Sequence, residues 1–310
     1  MSQDEAAVSV RQLTKNYGNV PAVRGVSFEV SPSEVFALLG PNGAGKTSIV
    51  EIMEGFRQPD GGSVQVLGFD PANPATSRAM RQFVGVVLQE LAVEPYLTVR
   101  EVLERNASYY PKHRNVGEII DLVGLSEKAD SRVKTLSGGQ QRRLDLGLGI
   151  VGDPKLLFLD EPTTGFDPSA RRDAWEIVRA LSSGGATVIL TTHYMDEAEA
   201  LADRVAVIRS GEIVATGTPR SLAGRDVGEA TIRFQLPEGR LASELPLDGT
   251  PYDTAENGEI KIQTSDAVAV LAGVTTWATQ ASVDLIGLTV ERLTLEDVYL
   301  RLTGYQTGTR

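Results

Sequence analysis

Residues 34–55 constrain the fold of this chain more than any other segment. An apolar run, EVFALLG, leads into GPNGAGKT (residues 40–47), and a helical pattern follows as far as Gly55. A strand, a glycine-rich loop and the start of a helix are the context that a phosphate-binding loop requires. Glycines let successive backbone N–H groups point into one concavity, and the helix N-terminus adds its positive end. We therefore expect Lys46 to reach the β- and γ-phosphates of a nucleotide and Thr47 to ligate Mg²⁺. A glycine-rich turn with an exposed lysine is the simpler alternative.

Two adjacent carboxylates follow a second apolar run. The sequence LLFLDEP (156–162) predicts a buried strand that ends at Asp160, with Glu161 one residue beyond it. In isolation, such a pair is typical of a solvated turn. Because a phosphate-binding loop lies upstream, we expect Asp160 to hold the hydration shell of Mg²⁺ and Glu161 to polarise an attacking water. The two segments together predict nucleotide hydrolysis.

A further anion-binding element, LSGGQ (136–140), precedes these acids. Ser137 and two glycines open a predicted helix whose first N–H groups can face an anion. The same residues also form an ordinary helix N-cap, and the two interpretations are compatible. If this element and the loop at 40–47 both bound one phosphate within one chain, one of them would be redundant.

Patterns of strands and helices alternate over residues 1–222. Continuous apolar runs such as LLFL and TVIL suit strands that are buried on both faces of a sheet. These patterns predict an α/β domain with a mainly parallel sheet and a helical subdomain at about 90–150, where residues 97–150 have helical character.

The pattern changes after residue 222. Residues 226–304 are typical of a small acidic α+β accessory domain, in which ATIRFQL and GEIKIQT alternate as half-exposed strands do. A closing helix is expected to begin at Thr294, with Asp297 completing a capping-box-like pair. Residues 305–310 are expected to be a flexible tail.

Charge and composition exclude several classes of partner. The formal net charge is −11, and residues 226–310 hold 13 acidic and 6 basic side chains. A nucleic acid or an anionic lipid surface requires a basic face, so we expect neither as a partner. The chain has no cysteine. Its apolar runs fall short of the roughly 18–20 residues that a membrane span needs. Its acidic, polar start differs from a signal peptide, and we therefore expect a cytoplasmic protein.

Together these motifs resemble the ATP-binding subunit of an ABC transporter, over residues 8 to about 220. The resemblance implies a P-loop NTPase core that includes an antiparallel β subdomain, with ATP and Mg²⁺ as cofactors. The residues implied to contact ATP are Tyr17, Gly40, Pro41, Asn42, Gly43, Ala44, Gly45, Lys46, Thr47, Ser48, Ser137, Gly138, Gly139, Gln140 and Asp167. The implied metal-binding residues are Thr47, Gln89 and Asp160, and the implied catalytic residues are Lys46, Gln89, Glu161 and His193.

Four of these assignments depend on position within the family's pattern. Tyr17 in KNYGN matches the aromatic residue that stacks on adenine, and Gln89 in VVLQE matches the glutamine that contacts Mg²⁺ and the attacking water. His193 in ILTTHYMDEAEAL matches the switch histidine. Asp167 in GFDP matches the loop that bridges subunits, although Phe166 replaces the usual leucine, a change expected to affect local packing alone. A packed surface tyrosine and a structural histidine are the simpler alternatives for Tyr17 and His193.

The resemblance also explains why one chain carries two anion-binding elements. Subunits of this family pair head to tail, so that each ATP lies between the phosphate-binding loop of one copy and the LSGGQ of the other. This implies a homodimer when ATP is bound. It also implies a separately encoded transmembrane permease, through which the protein would sit on the inner face of the cell membrane. The candidate contacts with the permease are Leu91, Val93, Tyr96 and Leu97. The same four residues are equally candidates for packing within the helical subdomain.

The ending LTLEDVYLRLTG is similar to that of the daunorubicin/doxorubicin-resistance exporters, which implies export of a drug, antibiotic or lipid. The alternative is a soluble ABC ATPase of DNA repair or of the ribosome. DNA-repair relatives place long coiled coils between the motifs, whereas 47 residues separate Gln89 from Ser137 here. Ribosome-associated relatives usually carry two such domains and a basic linker. A GTPase would need an Asn-Lys-x-Asp element, which the sequence lacks. We therefore favour the ATP-hydrolysing subunit of an exporter.

Overall fold

The computed structural model describes residues 6–87, 93–223, 230–237, 239–247, 249–255, 258–292, 295 and 299. The chain divides into two units, Met1–Thr216 and Gly217–Arg310. The strands of the first unit are β1 (Val8–Tyr17), β2 (Val20–Val30), β3 (Val35–Leu39), β4 (Gly61–Val66), β5 (Val84–Val87), β6 (Leu156–Asp160), β7 (Thr187–Thr192), β8 (Arg204–Arg209) and β9 (Glu212–Gly217). Its helices are α1 (Lys46–Met53), α2 (Pro74–Met80), α3 (Val99–Ala107), α4 (Val116–Leu122), α5 (Gly138–Ile150), α6 (Pro168–Ser183) and α7 (Met195–Leu201).

The central sheet of the first unit has six strands, in the order β5-β6-β7-β3-β8-β9. Neighbouring strands from β5 to β8 run parallel. Every residue of β3, β6 and β7 is buried, as their apolar sequences predict for strands that are covered on both faces. A turn at Ser210 and Gly211, both with positive φ, connects β8 to β9. The parallel registers bring the carboxyl ends of β6, β7 and β3 to one edge of the sheet, where ligands of α/β proteins gather.

A second sheet, in the order β2-β1-β4, is antiparallel and contributes to the same core. Val8 pairs with Val30 on one side and with Val66 on the other. Phe28 of this sheet stacks on Phe36 of the central sheet, with ring centroids 5.1 Å apart. This sheet is the antiparallel subdomain that the family resemblance implies, and it brings the end of β1 towards the start of α1.

The helical region contains three helices, α3, α4 and α5, where the sequence pattern predicts one helical stretch over 97–150. Thr98 caps α3 in a reciprocal pair with Glu101, and Asn115 caps α4. Gly124 follows α4 with a φ of 64°. These caps and the left-handed glycine separate the helices, because each ends or begins a run of backbone hydrogen bonds.

The second unit has a short helix, α8 (Pro219–Leu222), and an α+β core. That core comprises β10 (Ala230–Gln235), β11 (Tyr252–Thr254), β12 (Glu259–Thr264), α9 (Ala267–Ala281) and β13 (Ile286–Arg292). The sheet is antiparallel in the order β11-β12-β10-β13, and Trp277 of α9 packs against its apolar cluster. β10 is more buried than its alternating sequence predicts, since Thr231 is buried together with Ile232 and Phe234. The reason is its central place between β12 and β13. The observed architecture confirms the predicted fold class.

The closing helix predicted to begin at Thr294 and the tail at 305–310 lie outside the described residues. Within the described part of the chain, no helix combines the length and the apolar character that crossing a bilayer requires.

Candidate nucleotide site

The glycine-rich loop connects β3 to α1 at the edge where the parallel strands end. Gly40 donates its backbone N–H to the carbonyl of Thr192, 3.3 Å away. A Cβ at Gly40 would lie 2.5 Å from the carbonyl oxygen of Ile208, and one at Gly45 would lie 2.3 Å from that of Ala22. Gly45 also has a φ of 103°, a conformation that side chains disfavour. Glycine is therefore required at both positions for the loop to close against its neighbours.

Lys46 is 5% exposed, and polar atoms of the loop surround its ammonium group. Its Nζ donates to the carbonyl oxygens of Gly40 (2.8 Å) and Pro41 (3.3 Å) and lies 3.6 Å from Oε1 of Glu161. Burial lowers the pKa of Lys46, and the charge of Glu161 opposes that change. A cleft of about 490 Å³ opens beside this group. Its lining residues are Ala22, Asn42, Gly43, Gly45, Lys46, Thr47, Ser48 and Glu161.

The predicted carboxylate pair lies at the end of β6. Asp160 is buried, and its Oδ1 accepts a hydrogen bond from the hydroxyl of Thr191 on β7. Burial raises the pKa of the Asp160 carboxyl, while the Thr191 hydroxyl counteracts part of that rise. Glu161 follows with a φ of 46°, and its N–H donates to Oγ1 of Thr191 at 3.0 Å. Thr164 donates to Oε2 of Glu161 at 3.2 Å. This left-handed backbone is costly for a non-glycine residue and turns the glutamate towards the cleft.

His193 follows β7 and lies beside the same glutamate. Its Nδ1 is 3.2 Å from Oε1 of Glu161, and its ring centroid is 4.1 Å from that of Tyr194. Lys46 and His193 therefore approach a single oxygen of Glu161. The structure brings these three predicted catalytic residues together, whereas Gln89 lies outside the described residues.

Tyr17, at the end of β1, borders the loop as the sequence pattern predicts. Its hydroxyl is 3.1 Å from Oγ of Ser48, so the ring is tied to the first turn of α1. The guanidinium of Arg57 lies 5.2 Å from the ring centroid, and Glu51 holds Arg57 in an ion pair. Tyr17 as a whole is 40% exposed. An exposed, oriented aromatic ring beside a phosphate-binding loop is suited to stack on a nucleobase.

The LSGGQ segment forms the beginning of α5. Ser137 is its N-cap: its Oγ accepts from Gln140 N (3.3 Å), and Gln140 Oε1 accepts from Ser137 N (3.0 Å). Ser137 and Gly138 are exposed. The described residues that line the cleft come from 22–48 and from Glu161, and none comes from 136–140. The structure thus does not bring the two anion-binding elements of one chain together.

Asp167 caps α6 at its N-terminus. Its Oδ1 accepts from the backbone N–H groups of Ser169 (2.9 Å) and Ala170 (3.0 Å), which lower the pKa of the carboxyl. Asp167 is absent from the residues that line the cleft of its own chain.

The candidate permease contacts lie before α3. Tyr96 is 63% exposed, and the ammonium of Lys134 lies 4.5 Å from its ring centroid. Val93 and Leu97 are half-buried, whereas Leu91 lies outside the described residues.

Buried ionic groups on α5 and α7 were not predicted. The Arg142 guanidinium on α5 donates to backbone carbonyls at the end of β6 and to Oδ2 of Asp145. Burial raises the pKa of Asp145 to about 6, and the positive charge of Arg142 opposes that rise. The helical periodicity of the sequence could have indicated this buried ion pair. Arg142 lies four residues before the apolar Leu146, on the same face of the helix, and three residues before Asp145.

Glu197 on α7 is the second such group, and it is fully buried. Its Oε1 accepts from Oγ1 of Thr163 (2.7 Å) and from Nε1 of Trp175 (3.2 Å). Burial raises the pKa of Glu197, while these hydrogen bonds oppose the rise. The acidic composition of MDEAEAL gives no signal that distinguishes this glutamate from the exposed Asp196 and the half-buried Glu199.

Two family models match the sequence. One, described as ABC transporter, matches residues 23–164. The other, described as ABC transporter domain-containing protein-like, C-terminal domain, matches residues 230–294.

Curated relatives match over nearly the whole chain. The daunorubicin resistance ATP-binding protein DrrA3 of Streptomyces coeruleorubidus is 34% identical, over 97% of this chain and 96% of its own. The Nod factor export ATP-binding protein I of Paraburkholderia xenovorans is 40% identical, over 97% of this chain and 98% of its own length. The linearmycin resistance ATP-binding protein LnrL of Bacillus subtilis is 35% identical, over 96% of this chain and 98% of its own length.

Solved structures share the fold. A nucleotide-free ATP-binding cassette of an ABC transporter superposes with a TM-score of 0.60 at 26% identity, over 69% of this chain and 92% of the other. A dimeric ATP-binding cassette bound to ADP and phosphate superposes with a TM-score of 0.62 at 22% identity, over 68% of this chain and 98% of the other. The second likeness bears on the fold alone.

Proposed function

Since this chain belongs to the family of ABC transporter ATP-binding subunits, and is an ATPase of an exporter, we propose that two copies enclose two ATP molecules. The observation that carries the proposal is the separation of the two anion-binding elements. The cleft beside Lys46 has no lining residue from 136–140. The N-terminus of α5, a helix of 13 residues, instead exposes Ser137 and Gly138. A second copy, related by a twofold axis, would supply these donors to the γ-phosphate, and each copy would do so for the other.

Within one copy, the loop at 40–47 binds the phosphates of ATP. The phosphate oxygens would replace the carbonyls of Gly40 and Pro41 as partners of the Lys46 ammonium. Tyr17 would stack on the adenine, with Ser48 and Arg57 orienting its ring.

Mg²⁺ fits the donor set at this site. It prefers hard oxygen ligands, and both the Thr47 hydroxyl and the buried Asp160 carboxylate are of this type. When bound with ATP, it would neutralise charge on the β- and γ-phosphates. Asp160 is held for this role by the Thr191 hydroxyl.

Glu161 would orient the attacking water and accept its proton. Its backbone is fixed by Thr191, and its Oε1 lies within 3.6 Å of both Lys46 Nζ and His193 Nδ1. When Lys46 turns to the phosphates, the glutamate oxygen becomes available to a water. His193 remains beside it and would hold the carboxylate towards the γ-phosphate.

The work of this ATPase would be delivered to a separately encoded permease in the cell membrane, with the chain on the inner face. Tyr96 and Leu97, before α3, are our candidates for the contact. The names of the relatives refer to daunorubicin, linearmycin and Nod factor, and we assign the substrate to the same broad class: a drug, an antibiotic or a lipid-like compound.

The dimer can be tested with the Glu161→Gln variant, which keeps the size of the side chain but removes the base. With ATP and Mg²⁺, light scattering should give twice the monomer mass, whereas ADP should leave monomers. The same variant with Lys46→Ala added should stay monomeric under all conditions, because ATP is no longer held. A Glu161→Gln protein that binds ATP and remains monomeric at every concentration would contradict the shared site.

A further inference from the structure

Arg142 connects the helix that begins at Ser137 to the strand that ends in the carboxylate pair. It lies in α5, is 8% exposed, and directs its guanidinium at the turn that follows β6. Nε donates to the carbonyl of Pro162 at 3.0 Å. Nη2 donates to the carbonyls of Asp160 and Glu161, each at 3.2 Å.

These three carbonyls belong to the residues that set the direction of the Glu161 side chain. The backbone at Glu161 is left-handed, with a φ of 46°, and its N–H is held by Thr191. The guanidinium fixes the carbonyl side of the same residue. Hydrogen bonds from a charged donor are stronger than neutral ones. A buried guanidinium that is satisfied by several acceptors therefore opposes relaxation of the strained turn.

Asp145 completes the arrangement by accepting from Nη1 of Arg142 at 2.9 Å. It lies one turn further along α5 than Arg142. Its carboxylate forms an ion pair with the guanidinium and so compensates part of the buried positive charge of Arg142.

We propose that Arg142 is a positioning residue, which holds Glu161 in its productive orientation from the helix that begins at Ser137. The inference rests on the proposed function, in which Glu161 activates water and Ser137 binds the ATP of a second copy. One short helix then touches both sites of a dimer: its first turn contacts the partner's nucleotide, and its second turn supports the catalytic carboxylate of its own chain.

The test compares Arg142→Lys with the double variant Arg142→Gln and Asp145→Asn, which removes both buried charges while it keeps similar shapes. Arg143→Gln is the matched control, since Arg143 is the next arginine on the helix and Nη1 reaches the Gly124 carbonyl, away from the carboxylate strand. For each protein, kcat and KM for ATP, the Kd of a fluorescent ATP analogue and the Tm are measured.

Small displacements of a catalytic group cost large factors in rate, so the double variant should lose kcat by about 10-fold or more with the analogue Kd within about twofold. Arg142→Lys keeps a charged donor but loses the planar guanidinium, which donates in several directions at once. Its kcat should therefore fall less than that of the double variant, to about three- to tenfold below the unmodified chain. Arg143→Gln should keep kcat within about twofold. ATP-dependent dimerisation in the Glu161→Gln background should persist in the double variant.

Unchanged kcat in the double variant would overturn the proposal, as would a parallel loss of kcat and nucleotide binding, because the role would then be structural. If the double variant does not fold, Arg142→Lys decides: a kcat equal to that of the unmodified chain overturns the proposal. A failure of the proposed function is distinguishable, since the unmodified chain and Glu161→Gln would then hydrolyse ATP alike.

Discussion

Nδ1 of His193 lies 3.2 Å from Oε1 of Glu161, although 31 residues lie between them in the sequence. The two side chains meet because parallel neighbouring strands end at one edge of the sheet. The imidazole can thus orient the carboxylate that we assign as the base. It approaches the oxygen that Lys46 also approaches.

Removing the imidazole should therefore impair chemistry more than binding. We expect His193→Ala to lower kcat by about 100-fold, because the catalytic carboxylate loses the group that orients it, while the Kd for ATP changes little. Phosphate release at saturating ATP measures the first quantity, and equilibrium binding of a fluorescent analogue measures the second. A variant that loses affinity and keeps kcat would assign His193 to nucleotide binding instead.

The capping serine of α5 should affect both stability and turnover. Ser137→Ala removes an N-cap oxygen and should cost about 1 kcal/mol of unfolding free energy, with turnover about 10-fold lower because a donor to the partner's ATP is lost. Thr98→Ala is the control, since Thr98 caps α3 in the same reciprocal manner. It should lose similar stability and keep normal turnover. Urea unfolding and steady-state ATPase assays give the two values. Equal effects of both variants on turnover would mean that Ser137 acts through helix stability alone.

Ser137→Arg tests the same surface by steric means. The longer side chain should block the approach of a second copy while one copy still binds ATP, so hydrolysis should stop and analogue binding should persist. Normal ATP turnover by this variant would refute the shared site.

Tyr17 should determine affinity for the base. Tyr17→Ala removes the ring, and because stacking of one base contributes about 1–3 kcal/mol, the Kd for ATP should rise by about 10-fold or more. Tyr17→Phe keeps the ring and loses the contact with Ser48, so its Kd should rise by a smaller factor. Titration of both variants with ATP and with inorganic triphosphate checks the assignment, since triphosphate binding should be the same in both. A Tyr17→Ala variant with unaltered ATP affinity would leave Tyr17 as a packed surface residue.

Glu54 makes the first unit sensitive to pH. It is buried at the end of α1, and burial together with the charge of Asp160 raises its pKa to about 8 from 4.5. The folded chain therefore holds a proton that the unfolded chain releases, so this contribution to stability is largest at low pH. It decreases as the pH rises from about 4.5 to about 8. Between pH 5 and pH 7, the unfolding free energy should fall by roughly 2–3 kcal/mol from this group.

Glu54→Gln should remove that dependence, because the amide stays neutral. The difference in unfolding free energy between variant and unmodified chain should grow in favour of the variant as the pH rises. Urea unfolding at several pH values, with EDTA and without nucleotide, measures it by circular dichroism. Glu104→Gln is the control at an exposed glutamate on α3. Parallel curves for Glu54→Gln and the unmodified chain would contradict the prediction.

The sequence was sufficient for the features that depend on local backbone requirements. Glycine is required at positions 40 and 45 because a Cβ there would clash with a backbone carbonyl. A steric requirement of this kind is visible in the sequence as the glycines of the phosphate-binding motif. β3, β6 and β7 were predictable because burial on both faces requires continuous apolar runs. The fold class followed from these elements.

Other features depend on contacts that sequence patterns do not encode. β1 and β4 were missed, since β1 mixes buried and exposed residues irregularly and its register shifts between Val10 and Leu13. Arg142 stands among polar residues in GGQQRR, and its burial depends on the approach of β6 from elsewhere in the chain. The role of Gln89 stays a prediction, and so do the contact partners of Ser137 and Asp167.

The hydrogen bond from Trp175 to Glu197 has a practical consequence. The chain has two tryptophans, Trp175 in the first unit and Trp277 in the second. Each indole is thus an intrinsic optical probe of one unit. The emission of a Trp277→Phe protein would report on the first unit alone, and that of a Trp175→Phe protein on the second unit alone, so the two could be followed separately without any attached dye.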